Sequence, residues 1–295
     1  MKTLRLARTA GFCYGVRRAV ELAERTAGEG RPCWMLGPVI HNRDEVERLE
    51  ALGLRTAHSP EEIPDGARAL IRSHGESRAV LEGLKARGVE LLDATCPNVK
   101  RIHELVCQAE EQGRRPVIIG THGHPEVEAI AGWCRAPVVL SGPEELKKWL
   151  EEDDKNGKIP LTLVSQTTST QKIWEDCVKK AKKECTNAEF FDTICGATSK
   201  RQDEAVRLAR ECGAMVVVGG RHSSNTKRLA QLCGQSCPRV LLIERAADLD
   251  LSDLKQADAV GITAGASTPA WIIKEVIDKM SEEIMEIEKS FAEML

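Results

Sequence analysis

A threefold internal repeat constrains the fold of this chain more than any other sequence feature. Cys13, Cys96 and Cys195 each begin a similar segment, and the three segments read CYGVRRAVELA, CPNVKRIHELV and CGATSKRQDEAVRLA. Each segment has basic residues shortly after the cysteine and then apolar residues at helical spacing. A chain of this kind is expected to fold as copies of one small supersecondary unit.

Each repeat continues with a short apolar segment that ends in a glycine, 24 residues after the cysteine. These glycines are Gly37, Gly120 and Gly219. The segments before them are typical of strands buried in a parallel sheet. At 28 residues after the cysteine, polar loops carry His41, His124 and Ser223.

A second apolar strand and a second polar loop follow in each repeat. The loop IRSHGES contains His74, VSQTTST contains Thr167 and Thr168, and GITAGAST contains Ser267. Ligands of parallel sheets bind beyond the carboxyl ends of the strands. The cysteines and both sets of polar loops are therefore predicted to converge on one cavity.

The strand that precedes each cysteine predicts how the chain closes. ELLDATC and EFFDTIC end the first two repeats, whereas TLRLARTAGFC has no repeat before it. Residues 1–12 are therefore expected to pair with the C-terminal repeat. The predicted fold is α/β, with three similar small parallel-sheet units around a pseudo-threefold axis and a central cluster cavity. The predicted units are 14–96, 97–194, and 1–13 plus 195–280, followed by a C-terminal helical tail at 281–295.

Composition excludes several functional classes. The 295 residues carry a formal net charge of -3, with one Tyr and four Phe, so a nucleic-acid partner is not expected. No apolar run reaches membrane-spanning length, and no membrane partner is expected. We interpret the chain as cytoplasmic, where its 11 cysteines would be reduced thiols or metal ligands.

Three cysteines on one axis suit an iron–sulfur cluster. A four-iron cluster normally takes four cysteines, so three would leave one iron open. Catalytic zinc, with three protein ligands and a water, is the competing interpretation.

The polar loops are rich in hydrogen-bond donors, which suit a phosphate or diphosphate at helix N-termini. The candidate ligands are His41, His74, His124, Ser223, Ser224, Asn225 and Ser267. The serines could equally be helix N-caps. Glu126 stands among these donors and could supply a proton, relayed by Thr167 or Thr168. The alternative for Glu126 is a first-turn glutamate that the helix dipole favours.

Taken together, the motifs resemble the 4-hydroxy-3-methylbut-2-enyl diphosphate reductase family of the methylerythritol phosphate route to isoprenoids. The resemblance runs from about residue 4 to residue 280 and rests on GFCYGVRRAV, GPVIHN, RSHG, DATCPNVKR, GTHGHPEV, SQTT, TICGAT, GGRHSSNT and GITAGASTP.

The resemblance implies one [4Fe-4S] cluster on Cys13, Cys96 and Cys195, with one open iron. It implies an allylic diphosphate held by the polar loops, and protons delivered by Glu126 with the threonine of SQTT. Within that motif the repeat spacing favours Thr168, whereas the family motif favours Thr167. Electrons would come from ferredoxin or flavodoxin, and the products would be isopentenyl and dimethylallyl diphosphate.

Two other functions remain open at this point. An iron–sulfur lyase of the quinolinate-synthase type also leaves one iron open, but it would require arginine-rich loops for a dicarboxylate. A non-catalytic redox sensor would need no proton donor.

Overall fold

The computed structural model describes residues 3–152, 157–254 and 256–281, and the backbone of 286–287. In chain order the strands are β1 Thr3–Leu6, β2 Trp34–Leu36, β3 Arg55–Ala57, β4 Arg68–Ile71, β5 Glu90–Asp93, β6 Arg115–Ile119, β7 Val138–Leu140, β8 Leu161–Ser165, β9 Ala188–Phe191, β10 Ala214–Val218, β11 Val240–Ile243, β12 Ala259–Ala264 and β13 Glu286–Ile287. The helices are α1 Tyr14–Gly28, α2 Arg43–Ala51, α3 Arg78–Ala86, α4 Pro97–Glu111, α5 Pro125–Ala131, α6 Pro143–Glu152, α7 Gln171–Glu184, α8 Gly196–Glu211, α9 Ser224–Gly234 and α10 Ala270–Ser281.

The strands form three parallel sheets of the same topology. Their orders are β3-β2-β4-β5, β7-β6-β8-β9 and β11-β10-β12-β1-β13. In each sheet the strand after the cysteine helix lies second, beside a short edge strand. The predicted α/β fold with three similar parallel sheets is therefore confirmed.

Strand β1 occupies in the third sheet the place that β5 and β9 occupy in the other two. It pairs in parallel with β12, with Leu4 opposite Val260. This confirms the expectation that the N-terminal strand closes the C-terminal repeat.

The chain divides into two compact units. One, here called the terminal unit, comprises Met1–Arg17, Ile40–Arg48 and Gly196–Leu295, and the other, the middle unit, comprises Arg18–Val39 and Leu49–Cys195. The terminal unit contains the third sheet, and the middle unit contains the first two sheets.

The core of the terminal unit explains why strand β10 is apolar throughout. In β10 the side chains of Ala214, Val216 and Val218 pack in one core cluster together with residues of α10. Met215 and Val217 lie in a second cluster together with residues of α8 and α9. Because the two sets of alternating side chains enter different clusters, both faces of the strand are buried and no polar position is tolerated.

The middle unit uses the same principle around its second sheet. Val117 and Ile119 of β6 pack in a cluster with residues of α6 and α7. Ile118, between them, packs in another cluster with residues of α4 and α5. Successive side chains of one buried strand point to opposite faces of the sheet, and helices therefore pack against both faces.

Sequence reasoning identified three strands in each repeat and missed the edge strands β3, β7 and β11. These strands have three or four residues each and are only partly buried, so they carry little periodic signal. Most of the predicted C-terminal helical tail lies outside the described residues. In the part that is described, α10 ends at Ser281 and strand β13 spans Glu286–Ile287. Among the helices of the described ranges, none is long and apolar enough to cross a membrane.

Loss of the Leu4 side chain should loosen the third sheet. Leu4 is fully buried in the core of the terminal unit, and truncation of a buried leucine typically costs about 2–5 kcal/mol. We expect Leu4→Ala to accelerate hydrogen exchange at the backbone amides of β12, measured by mass spectrometry. Leu52→Ala, at a side chain that is 48% exposed, is the matched control and should leave that exchange unchanged. Equal exchange of β12 in both variants would contradict the closing role of β1.

Candidate functional site

The three repeat cysteines stand directly before long helices. Cys96 is the N-cap of the 15-residue helix α4. Cys13 precedes the 15-residue α1, and Cys195 precedes the 16-residue α8. The N-terminus of a helix carries partial positive charge. An anionic group beside these three cysteines would therefore be favoured by the helix dipoles.

Each of these cysteines is tied through its backbone to the second polar loop of the corresponding sheet. The N–H of Cys13 donates to the carbonyl of Ala266 at 3.2 Å, beside Ser267. In the middle unit the N–H of Cys96 donates to Ser73 at 2.9 Å, beside His74. The same bond recurs a third time, from Cys195 to the carbonyl of Thr167 at 3.0 Å. The three sequence repeats therefore share the same backbone hydrogen bond from the cysteine to the second polar loop.

Most of the other cysteines are poor metal ligands because burial holds them in the thiol form. Burial raises the pKa of Cys33 to about 11, and that of Cys134, Cys177 and Cys233 to about 12. Burial likewise raises the pKa of Cys107 and Cys185. Since the thiolate is the metal-binding form, these six thiols are disfavoured as ligands at neutral pH.

Two predicted ligands of the diphosphate, His74 and His124, lie together in the middle unit. Their ring centroids are 5.7 Å apart and the ring planes meet at 76°. His124 is the N-cap of α5, and its Nδ1 accepts the N–H of Glu126 at 3.1 Å. A neutral ring with an accepting Nδ1 must carry its proton on Nε2. His124 can therefore donate from Nε2 to an anion.

Glu126 is buried and bound twice by one threonine. The N–H of Thr167 donates to Oε1 at 2.6 Å, and its hydroxyl donates to Oε2 at 2.7 Å. Only 2% of Glu126 is exposed, and burial raises the pKa of this carboxyl despite the opposing hydrogen bonds of Thr167. A carboxyl of raised pKa retains its proton closer to neutral pH, as a general acid requires.

Thr168 has a different partner in the same loop. Its hydroxyl accepts from the side-chain amide of Gln166 at 3.0 Å. Gln166 in turn accepts the N–H of Thr121 at 3.0 Å, which joins this loop to the one that follows β6. Of the two threonines left open by the sequence, the one in direct contact with Glu126 is Thr167.

In the terminal unit, His41 and Ser267 lie in contact. The Ser267 hydroxyl donates to the carbonyl of His41 at 3.1 Å. The same carbonyl lies 2.9 Å from where a Cβ on Gly220 would stand, so a larger residue there would displace it. Gly220 thus allows the loop after β10 to approach His41.

Ser223, Ser224 and Asn225 begin helix α9 in the same unit. Ser223 is the N-cap, and its hydroxyl accepts the N–H of Thr226 at 3.3 Å, so the capping interpretation holds for this residue. Asn225 is 4% exposed, and neither its amide nitrogen nor its oxygen has a partner among the described residues. A buried amide without partners is costly, which fits a group that binds a ligand at the helix N-terminus.

Sequence reasoning did not foresee the role of two arginines that follow the cysteines. Arg18 donates to the carbonyls of Asp93 and Thr95, just before Cys96. Arg201, which is 3% exposed, donates to the carbonyls of Thr9 at 2.8 Å and Gly11 at 2.6 Å, just before Cys13. These guanidinium groups fix the loops that carry the cysteines.

Another support that the sequence did not reveal lies next to the His74 loop. His103 stacks on Trp133 with ring centroids 4.8 Å apart, and the indole N–H of Trp133 donates to the carbonyl of Glu76 at 2.9 Å. Burial lowers the pKa of His103 to about 4, so this ring is neutral. The two stacked rings form an apolar surface next to the His74 loop. In the sequence, the sign of this pair is that His103 occupies a position of α4 where the helical spacing predicts an apolar residue.

The chemistry of the cysteines fits an iron–sulfur cluster. Cys13 belongs to the terminal unit, and Cys96 and Cys195 belong to the middle unit. All three are half-buried and lie outside any disulfide, and thiolates are the ligands that such clusters require. Within either unit, the described residues form no group of three or more His, Cys, Asp or Glu that could hold a metal ion.

Comparison with known proteins agrees with the motifs. The family model described as LytB protein matches residues 4–281. A 4-hydroxy-3-methylbut-2-enyl diphosphate reductase from Geobacter sulfurreducens is 42% identical over 277 residues, which cover 94% of this chain and 96% of the relative. The enzyme of the same name from Caldanaerobacter subterraneus is 40% identical over 279 residues, with 93% and 95% covered.

Solved structures show the same relationship. The E-1-hydroxy-2-methyl-but-2-enyl-4-diphosphate reductase from Plasmodium falciparum matches with a TM-score of 0.88 at 27% identity, over 94% of this chain and 87% of that one. An (E)-4-hydroxy-3-methyl-but-2-enyl diphosphate reductase, described as the terminal enzyme of the non-mevalonate pathway, matches with a TM-score of 0.71 at 36% identity, over 96% and 100%. This chain is therefore an enzyme of the LytB family, the 4-hydroxy-3-methylbut-2-enyl diphosphate reductases.

Proposed function

We propose that this enzyme uses a [4Fe-4S] cluster to remove the hydroxyl of 4-hydroxy-3-methylbut-2-enyl diphosphate. Two electrons and two protons are consumed. The C–O bond breaks and the hydroxyl leaves with one proton as water, while the second proton forms a new C–H bond. Protonation at either end of the allylic unit gives isopentenyl or dimethylallyl diphosphate.

The observation that carries this proposal is the connection from Glu126 to Cys195. Thr167 donates twice to the buried carboxyl, and its own carbonyl accepts the N–H of Cys195 at 3.0 Å. The proposed proton donor and a proposed cluster ligand are therefore both hydrogen-bonded to Thr167. We assign to Glu126 the role of proton donor, and to the Thr167 hydroxyl the relay between Glu126 and the substrate.

The diphosphate is assigned to the polar loops. The Nε2 proton of His124 and the unpartnered amide of Asn225 are suitable donors, and hydrogen bonds to charged groups contribute about 1.5–3 kcal/mol each. The other proposed donors are His41, His74, Ser223, Ser224 and Ser267. Helix α9, which Ser223 caps, adds the positive end of its dipole.

Cys13, Cys96 and Cys195 would hold the cluster on the proposed pseudo-threefold axis. When bound, the cluster would supply the electrons and one open iron as a Lewis acid. Ferredoxin or flavodoxin is the proposed electron donor. Thiolate ligands require a reducing compartment, which supports a cytoplasmic location.

Anaerobic reconstitution of the full chain should yield four irons and four sulfides per chain. We expect an EPR signal from the reduced protein that changes on titration with the diphosphate substrate. The triple variant Cys13→Ser, Cys96→Ser, Cys195→Ser should lack this cluster, whereas Cys177→Ser, at a buried thiol, should retain it. A wild-type protein that binds only zinc would overturn the proposal.

Replacement of the proton donor should separate catalysis from cluster binding. We expect Glu126→Gln to lower turnover by about 10²–10⁴-fold, the usual contribution of a positioned acid, while iron content stays unchanged. Glu128→Gln is the control, because Glu128 lies on the same helix and is exposed. Full turnover in Glu126→Gln would contradict the mechanism and favour a different donor or a redox sensor.

The raised pKa of Glu126 also predicts a pH dependence. The folded chain holds a proton that the unfolded chain releases, so folding stability falls as pH rises from the ordinary carboxyl pKa to the raised one. Turnover should fall over the upper part of this range as the acid is lost. The Tm of Glu126→Gln, relative to wild type, should increase with pH across the same interval, as measured by calorimetry. A difference in Tm that is constant with pH would show that Glu126 does not titrate there.

The choice between the two threonines is tested with isosteric changes. Thr167→Val removes the hydroxyl that donates to Glu126, whereas Thr168→Val removes one that accepts from Gln166. We expect Thr167→Val to lower kcat by about 10²-fold or more, the contribution of a positioned proton relay, and Thr168→Val to lower it far less. A larger loss in Thr168→Val would reassign the relay.

A further inference from the structure

The side chain of Asn98 contacts a sulfur that the proposed function assigns to the cluster. Asn98 lies in the first turn of α4, two residues after Cys96. Its Nδ2 is 3.2 Å from the Sγ of Cys195, and both residues belong to the middle unit. A thiolate can only accept a hydrogen bond, and of the two amide atoms only the nitrogen donates, so the contact has the polarity of N–H···S.

The neighbouring charge on α4 has a different partner. Lys100, two residues further along, forms an ion pair with Asp93 at 2.5 Å. The same interaction, with hydrogen bonds from Thr95, holds the pKa of Asp93 below its usual range although burial opposes this. Lys100 is therefore paired with a carboxylate, while Asn98, on the same helix end, contacts the sulfur.

The repeat provides an independent reason to single out Asn98. The equivalent positions, two residues after the other cysteines, are Gly15 and Ala197. Neither residue has a side chain that can donate a hydrogen bond. A donor at this position therefore occurs in one repeat of three and breaks the symmetry of the ligand set.

We propose that Asn98 is a positioning residue that donates a hydrogen bond to the Cys195 sulfur and thereby raises the reduction potential of the cluster. Hydrogen bonds to the sulfurs are one of the factors that set such potentials. The reduced cluster is more negative than the oxidised one, so an N–H donor stabilises the reduced form more. The inference rests on the proposed function, because it assumes that Cys195 is a cluster ligand.

The test is a redox titration of the reconstituted full chain, followed by EPR. Asn98→Leu removes the donor at similar volume, and we expect the ratio of reduced to oxidised cluster at a fixed potential to fall about tenfold, which is a shift of about 59 mV to lower potential for one electron. Asn98→Asp, which is nearly isosteric, places a negative oxygen beside the sulfur and should lower the potential at least as much. Gln108→Leu makes the same amide-to-leucine change at an exposed position of α4 and should leave the potential unchanged.

A second readout detects the hydrogen bond directly. Pulsed EPR of the reduced wild-type protein, before and after exchange into D₂O, should show an exchangeable proton coupled to the cluster, and this coupling should be absent in Asn98→Leu. Wild-type potentials in both Asn98 variants would overturn the inference, as would loss of the cluster in both, since Asn98 would then be needed for assembly. A wild-type chain without iron and sulfide would instead overturn the proposed function.

Discussion

The arrangement of the site depends on one type of hydrogen bond, made three times. The backbone N–H of each repeat cysteine donates to a carbonyl in the second polar loop of the corresponding sheet, at Ala266, Ser73 and Thr167. A buried backbone N–H must find a partner, and here the partner residue either lies next to a candidate substrate ligand or, in Thr167, is itself a candidate catalytic residue. A shift of one loop therefore moves a sulfur and a polar side chain together. Arg18 and Arg201 strengthen this coupling, because they hold the carbonyls just before Cys96 and Cys13.

The three repeats supply a scaffold, and the residues proposed for chemistry are the points where the repeats differ. By the cysteine hydrogen bonds, Thr167 is equivalent to Ser73 and Ala266. Only in the second repeat does this residue have a hydroxyl bound to a buried glutamate, Glu126. Threefold-equivalent residues of one type would place the same group at three positions, so a departure such as this one is needed to place the proposed proton donor at a single position.

Much of the fold could be predicted from the sequence because buried parallel strands leave a strong signal. Both faces of β10 and β6 are covered, so their segments are almost wholly apolar, and their constant distance from the cysteines locates them in the chain. The edge strands β3, β7 and β11 could not be found this way, because they are short and half exposed.

For the candidate site, the sequence proposes residues but does not reveal the contacts that these residues make. The sequence left Thr167 and Thr168 open, because spacing reports position along the chain and not the direction of a side chain. The contact of Asn98 with Cys195 joins residues that are 97 positions apart, and no local pattern encodes it. The burial of Arg201 was missed for a similar reason, since its partners are carbonyls 190 and 192 residues away.

The closure of the third sheet by β1 has a consequence for how the molecule is made. On the ribosome β1 is synthesised first, yet its partner β12 begins more than 250 residues later. Contacts of such high sequence separation form late, because a long loop must close before they are gained. The sheets of the middle unit, whose strands are all neighbours in the chain, can be completed during translation. Cys13 can therefore reach its partner Ala266 only after residues up to 266 have been synthesised, so the proposed cluster on all three cysteines would be acquired only after that point.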